Sequence, residues 1–293
     1  MSITKRNRIL KVIGGILVLL IVVFLLGPRP PKMDFAELHT RHHLSDLHAL
    51  EDSINASEAA LPLKRDNQAR IVWEKPYEKT PYSMVYINGN GASQEEGDPI
   101  HEALAHRYGC NLYLARLEDH GLDIEDPLLH IDPEKWMQSA LDAITVAKQL
   151  GDKVILVTCS TGSTLGLYIE SKFPGIVVGH IMLSPNIDLH DPKSFMLTIP
   201  WGLQLARITL HGKYYGWDAP PLAQQYWYTK YRIEGLVTLK AMLNKTMKAE
   251  VFQNIHDPVF MAYFYHDEEN QDHIVSVKRM KEMFEQLGTA KEL

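Results

Sequence analysis

The sequence predicts an α/β fold: a mostly parallel central sheet with helices on both faces, a helical cap insertion and an N-terminal transmembrane helix. Three observations lead there. Short apolar runs alternate with amphipathic helical segments from residue 69 onward. One run, KVILVT at 153–158, is almost unbroken in apolar and β-branched residues, the signature of a strand buried on both faces. Residues 12–26 (VIGGILVLLIVVFLL) carry no charge.

The elements follow in chain order. Adding Ile9, Leu10 and Gly27 to the uncharged run gives about 18 residues, interrupted only by Lys11, which at ~1.5 Å per residue just spans a ~30 Å hydrocarbon layer. Lys5, Arg6, Arg8 and Lys11 precede the run, and Arg29 and Lys32 follow it. The more basic side stays in the cytoplasm, which predicts a single-pass protein with its large C-terminal part on the outer, periplasmic or extracellular, side. No small-x-small cleavage site follows, so an uncleaved anchor is expected rather than a secretory signal. Pro28, Pro30 and Pro31 stop the helix and begin a stiff spacer, so residues 1–32 form the anchor and spacer.

Residues 33–185 hold the first part of the core. Residues 33–68 read as polar helical or irregular surface. His39 and His43 lie four apart there, but no third ligand falls at the right spacing, and no metal site is expected. Strands are predicted at 69–75, 83–87, 111–117, 153–158 and 179–185, with helices at 132–151 and about 162–172. Residues 186–255 break this rhythm. They carry Trp201, Tyr214, Tyr215, Trp217, Trp227 and Tyr231 in mostly helical context and read as an inserted cap. The core resumes at 256–293 with a strand at 258–266 and a helix at 274–288.

Composition narrows the function. Of the 293 residues, 45% are apolar and 23% charged, which suits a packed core. A net charge of −6 without a concentrated basic face argues against nucleic acid as a partner. Cys110 and Cys159 make neither a disulfide framework nor a zinc site, and both are expected to be buried as small apolar side chains. No cofactor is implied.

The chemistry concentrates at KVILVTCSTGSTLG, which sets Ser160 between a buried strand and a helix. Such a turn lifts a serine above the sheet and aims the free N–H groups of the helix at a developing oxyanion. Gly162 supplies the small residue that the crowded turn needs. Ser163 would replace Ser160 only if the turn were shifted by three residues.

With these residues in place, the stretch from about 69 to 290 resembles the α/β-hydrolase fold, in its monoacylglycerol-lipase-like and esterase branch. The resemblance implies Ser160 as nucleophile. Asn88-Gly89-Asn90-Gly91 stands where the family has His-Gly, which implies the N–H groups of Asn90 and Thr161 as the oxyanion hole. Thr158 stands where the family commonly has glycine. Asp119-His120-Gly121 matches a Gly-His-Gly loop, with His120 structural rather than the base. The acid is implied at Asp272, in Asp-His-Ile-Val, with Asp267 as second choice and Asp188 as a third.

The same resemblance asks for a histidine beyond the acid. After Asp272 only His273 follows, next to the acid itself. The final strand and histidine loop are therefore expected to be absent. A shortened version of a longer enzyme is the expected reason, with weak or no activity on carboxylic esters, because serine without its base is a poor nucleophile. The aromatic cap points to an apolar small-molecule ester. The alternative is a catalytically silent, membrane-anchored pseudohydrolase acting as a binding or scaffold protein.

Overall fold

In a computed structural model of the chain, residues 3–40 and 46–290 are described. A long helix, α1 (Ile3–Leu25), precedes a shorter one, α2 (Leu47–Ala59). The strands β1 (Arg70–Val72) and β2 (Thr80–Ile87) come next, then α3 (Ile100–Tyr108) and β3 (Asn111–Leu114). The helix α4 (Pro133–Leu150) leads into β4 (Gly151–Cys159), α5 (Thr161–Lys172) and β5 (Gly179–Leu183). A second group follows: α6 (Gly202–Thr209), β6 (Tyr214–Gly216), α7 (Pro221–Tyr226), β7 (Lys230–Arg232), α8 (Ile233–Thr246) and the short α9 (Ala249–Phe252). The last strand is β8 (Val259–Ala262) and the last helix α10 (Val277–Glu285).

Six strands form one sheet in the order β1-β3-β2-β4-β5-β8. β1 runs antiparallel and every other neighbouring pair is parallel. Alternation along β2 divides the core between the two faces. Val85 and Ile87 join Trp136, Leu141, Ile144 and Leu156 on one side, while Met84 and Tyr86 join Leu112, Leu114 and Val157 on the other.

α4 shows how the sequence builds one of these layers. Asp132 caps it by accepting from the N–H groups of Glu134 and Lys135, at 3.0 and 3.1 Å, and Pro133 occupies its first turn. Met137, Ala140, Leu141, Ile144 and Ala147 recur at helical spacing, and all are buried against the sheet.

The structure departs from the sequence expectation in several places. The first strand covers only Arg70–Val72, as an antiparallel edge. The expected helix at 274–288 begins at Val277, because the Ser276 hydroxyl caps it through Arg279 N–H. The segment 186–255 is not helical throughout: β6 and β7 form an antiparallel pair, over which Tyr215, Trp217 and Tyr231 pack as an aromatic cluster.

The N-terminus also differs. Among the described residues no helix is long and apolar enough to cross a membrane, so the expected transmembrane span is not supported. The physical reason is length: the uncharged part of α1, from Val12 to Leu25, extends roughly 21 Å at ~1.5 Å per residue, short of a ~30 Å hydrocarbon layer. That part is nonetheless strongly exposed, from 43% at Phe24 to 62% at Leu19. Its C-terminal end meets the 186–255 segment, where the Trp201 indole donates to Val23 O at 3.1 Å and the Trp201 N–H to Pro28 O at 2.9 Å.

Candidate active site

Ser160 occupies the sharp junction between β4 and α5, with φ +48° and ψ −116°. A non-glycine residue pays steric energy at positive φ, on the order of 1–3 kcal/mol, and holds it only where the surroundings over-determine the turn. They do so here. Ser160 N–H donates to Leu183 O at 3.0 Å, and Ser160 O accepts from the N–H groups of Ser163 and Asn186, both at 3.0 Å. The turn is thus pinned to the end of β5. Gly162 lets α5 start against β2, since a Cβ there would collide with the carbonyl oxygens of Ile87 and Asn88. Thr161 opens α5, so its N–H has no helical partner. Ser163, the other serine of the motif, is buried and hydrogen-bonded to Thr158 at 2.7 Å.

Thr158 has its own reason for replacing the glycine of the resemblance. Its hydroxyl joins Ser163 Oγ and, at 2.8 Å, His180 Nε2. His180 Nδ1 lies 2.6 Å from Glu170 Oε1, though not along a good N–H direction, since neither atom meets hydrogen-bond geometry. The four side chains form a buried polar chain beneath the turn.

The loop after β2 faces this turn. Asn88 ties the loop to itself, its amide donating to Gly89 O and Ala92 O, both at 2.9 Å. Tyr228 N–H donates to Gly91 O at 2.7 Å and the Tyr231 hydroxyl lies near the Asn90 side chain, so residues between α7 and α8 sit against the loop. A Cβ on Gly89 would lie 2.9 Å from Ser160 Cβ, which puts the loop in contact with the serine.

The three candidate acids are separated by what they already bind. Asp272 Oδ1 accepts from Ile274 and Val275 N–H at 2.8 and 3.0 Å, and its charge reaches Cys159. Asp267 caps its own turn through Asn270 and Glu269, contacts that hold its carboxyl below the usual range. Asp188 pairs with the buried Lys240 at 2.5 Å.

Several of the described histidines have partners of their own. His120 is buried, gives its Nδ1 to Glu118 O at 2.7 Å and packs on Trp136; burial pushes its pKa down to about 4. His101 bonds Gln94 O, and His273 packs edge-on against His190 at 5.3 Å. Among the described residues no histidine hydrogen-bonds Ser160. His43 lies outside the described residues, while His39 Nδ1 bonds Glu37 O at 2.8 Å.

Sequence reasoning passed over Glu96. This carboxylate accepts Gly89 N–H at 2.6 Å and the Tyr86 hydroxyl at 3.2 Å. Its one sequence signal is a position seven residues past Gly89 in the same loop. Cys159, expected to be buried, is half-buried beside it. A cavity of about 310 Å³ opens between the Pro28–Pro31 spacer and residues Leu129, Ile199 and Val237, and contains none of the candidate site residues.

No protein-family model and no curated protein matches the sequence. Solved structures do. One of the metagenome-derived lipolytic enzymes LipS and LipT superposes with a TM-score of 0.62 at 13% identity, covering 78% of this chain and 86% of its own. The monoacylglycerol lipase of Paleococcus ferrophilus gives 0.55 at 16%, covering 75% and 84%. A putative non-heme bromoperoxidase, BpoC, from Mycobacterium tuberculosis gives 0.52 at 12%, covering 75% and 82%. The chain shares the α/β fold of these proteins. At such identities the likeness speaks for the fold alone. In an open α/β sheet, ligands bind at the carboxyl ends of the parallel strands. Ser160 follows β4, the 88–91 loop follows β2, and Asp188 and Asp272 follow β5 and β8, all at that end.

Proposed function

We propose that this chain is a serine hydrolase of carboxylic esters. Ser160 is the nucleophile, and the N–H groups of Asn90 and Thr161 receive the oxyanion. Asp272 is the acidic residue of the site, ahead of Asp267 and Asp188, because its carboxylate is the one whose charge reaches Cys159, next to Ser160. Residues 186–255 cap the site, and their aromatic side chains favour an apolar ester. One observation carries the reading: the strained backbone of Ser160 at φ +48°, raised between β4 and α5 against the Gly89 loop. Strain of this kind concentrates at functional sites.

A fluorophosphonate probe tests it. The folded chain is expected to label at Ser160, located by mass spectrometry, and Ser160→Ala is expected to abolish both labelling and hydrolysis of p-nitrophenyl butyrate. A folded sample that stays unlabelled favours the second reading, a catalytically silent binding protein. The observation behind that reading is that, among the described residues, no histidine hydrogen-bonds Ser160. We also infer that α1 tethers the domain to a membrane through its exposed apolar face. An exposed apolar face of this extent is unusual on a soluble monomer.

A further inference from the structure

A serine hydroxyl needs a proton acceptor before it can attack an ester, and a carboxylate stands beside this one. Glu96 lies in the short 3₁₀ turn Gln94–Gly97 that follows the Gly89 loop. Its Oε2 is fixed by the Gly89 N–H at 2.6 Å and the Tyr86 hydroxyl at 3.2 Å. The Cys159 thiol and the Trp227 indole approach the same group. Held by two hydrogen bonds and approached by two further donors, the carboxylate has little freedom. Its other oxygen, Oε1, lies 2.9 Å from the point a Cβ on Gly89 would occupy, and Ser160 Cβ lies 2.9 Å from the same point. The two atoms are therefore within about 6 Å of each other, a gap that one water spans. Glu96, Cys159 and Ser160 are all half-buried, so the space they share is not sealed.

We propose that Glu96 is the general base for Ser160, and that Gly89 has no side chain because the serine and the Oε1 oxygen face each other across its position. This rests on the hydrolase reading above. As Ser160 Oγ bonds to the ester carbonyl carbon, its proton passes to Glu96, directly or through one water, and the carbonyl electron pair moves to oxygen. When the tetrahedral species collapses, the C–O bond to the alcohol breaks and the protonated Glu96 gives that proton to the departing alkoxide. Water then attacks the acyl-serine, losing a proton to Glu96, and Glu96 returns it to Ser160 Oγ as the acid leaves. Water is the only co-reactant.

Burial raises the carboxyl of Glu96, the direction that brings a base toward its working range. The titratable groups facing it are Tyr86 on β2 and Cys159 at the end of β4; burial pushes both up, so both are neutral where Glu96 titrates. Asp272 acts on Cys159 from the loop after β8.

The test measures p-nitrophenyl butyrate hydrolysis and fluorophosphonate labelling of the full chain from about pH 4 to 9. Glu96→Gln keeps an acceptor for Gly89 N–H and removes the base. It is expected to lower kcat by roughly 100-fold or more, leave KM nearly unchanged and abolish the acid limb of the rate profile. Formate is expected to restore part of the rate to Glu96→Ala, which a purely structural role would not allow. The proposal is overturned if Glu96→Gln keeps Ser160-dependent turnover within about threefold of wild type. Should the variants fail to fold, the wild type still decides: Ser160-dependent turnover with no acid limb excludes a carboxylate base. A folded wild type that neither labels nor turns over at Ser160 instead brings down the hydrolase reading itself.

Discussion

Ser160 combines two demands that oppose each other. Its hydroxyl must stand clear of the sheet, and the backbone that lifts it sits at φ +48°, ψ −116°, a conformation that suits glycine far better than serine. Ser160→Gly is therefore expected to stabilise the fold by ~1 kcal/mol, the relieved strain less the added entropy of the unfolded chain. The denaturant midpoint should rise while esterase turnover disappears. An unchanged or lower midpoint would show that the turn stores no strain. The serine and the need for a small residue at Gly162 were legible in the sequence, because a strand-like run, a turn and a helix are contiguous there. Glu96 was not legible. Its value comes from Cys159 and Trp227, which the fold brings to it from distant parts of the sequence.

At the scale of elements, β4, α5 and β5 are locked by the chain Ser163–Thr158–His180–Glu170, buried under the turn. Thr158→Val keeps the shape and removes the hydroxyl, leaving Ser163 Oγ and His180 Nε2 without their partner. A buried polar atom stripped of its partner costs about 1–3 kcal/mol, so a loss of ~2–4 kcal/mol is expected in chemical unfolding. A loss below about 0.5 kcal/mol would mean that the chain contributes nothing to the turn. Sequence alone marked Thr158 as a departure from a family glycine and could not supply the cause, since His180 lies 22 positions away on the neighbouring strand. Local signals located α4 and β4 well because caps and apolar period lie within each element. They overran the first strand and the last helix. β1 ends where its pairing with β3 ends, and α10 begins where Ser276 caps it; neither limit is written in hydrophobicity.

Across the whole molecule, two apolar features stand out as exposed among the described residues. Among the described residues β8 is an edge of the sheet, with Phe260 61% exposed. α1 is the larger feature. Thirteen large apolar side chains from Val12 to Leu26 are exposed, while the helix end is held against the 186–255 segment by Trp201. Burying apolar area yields ~25 cal/mol per Å², so a helix of this kind moves readily into lipid. Its uncharged length falls short of a bilayer, yet Lys11 can extend its charged end toward the headgroups while its stem stays apolar. The full chain is expected to remain in the membrane pellet after alkaline carbonate extraction. The pair Leu17→Lys and Leu20→Lys, placing charge at the centre of the exposed run at a cost of ~3 kcal/mol each in lipid, should release it to the supernatant. Retention of that double variant in the pellet would assign the membrane contact to another surface, and release of the wild type would remove the tether altogether.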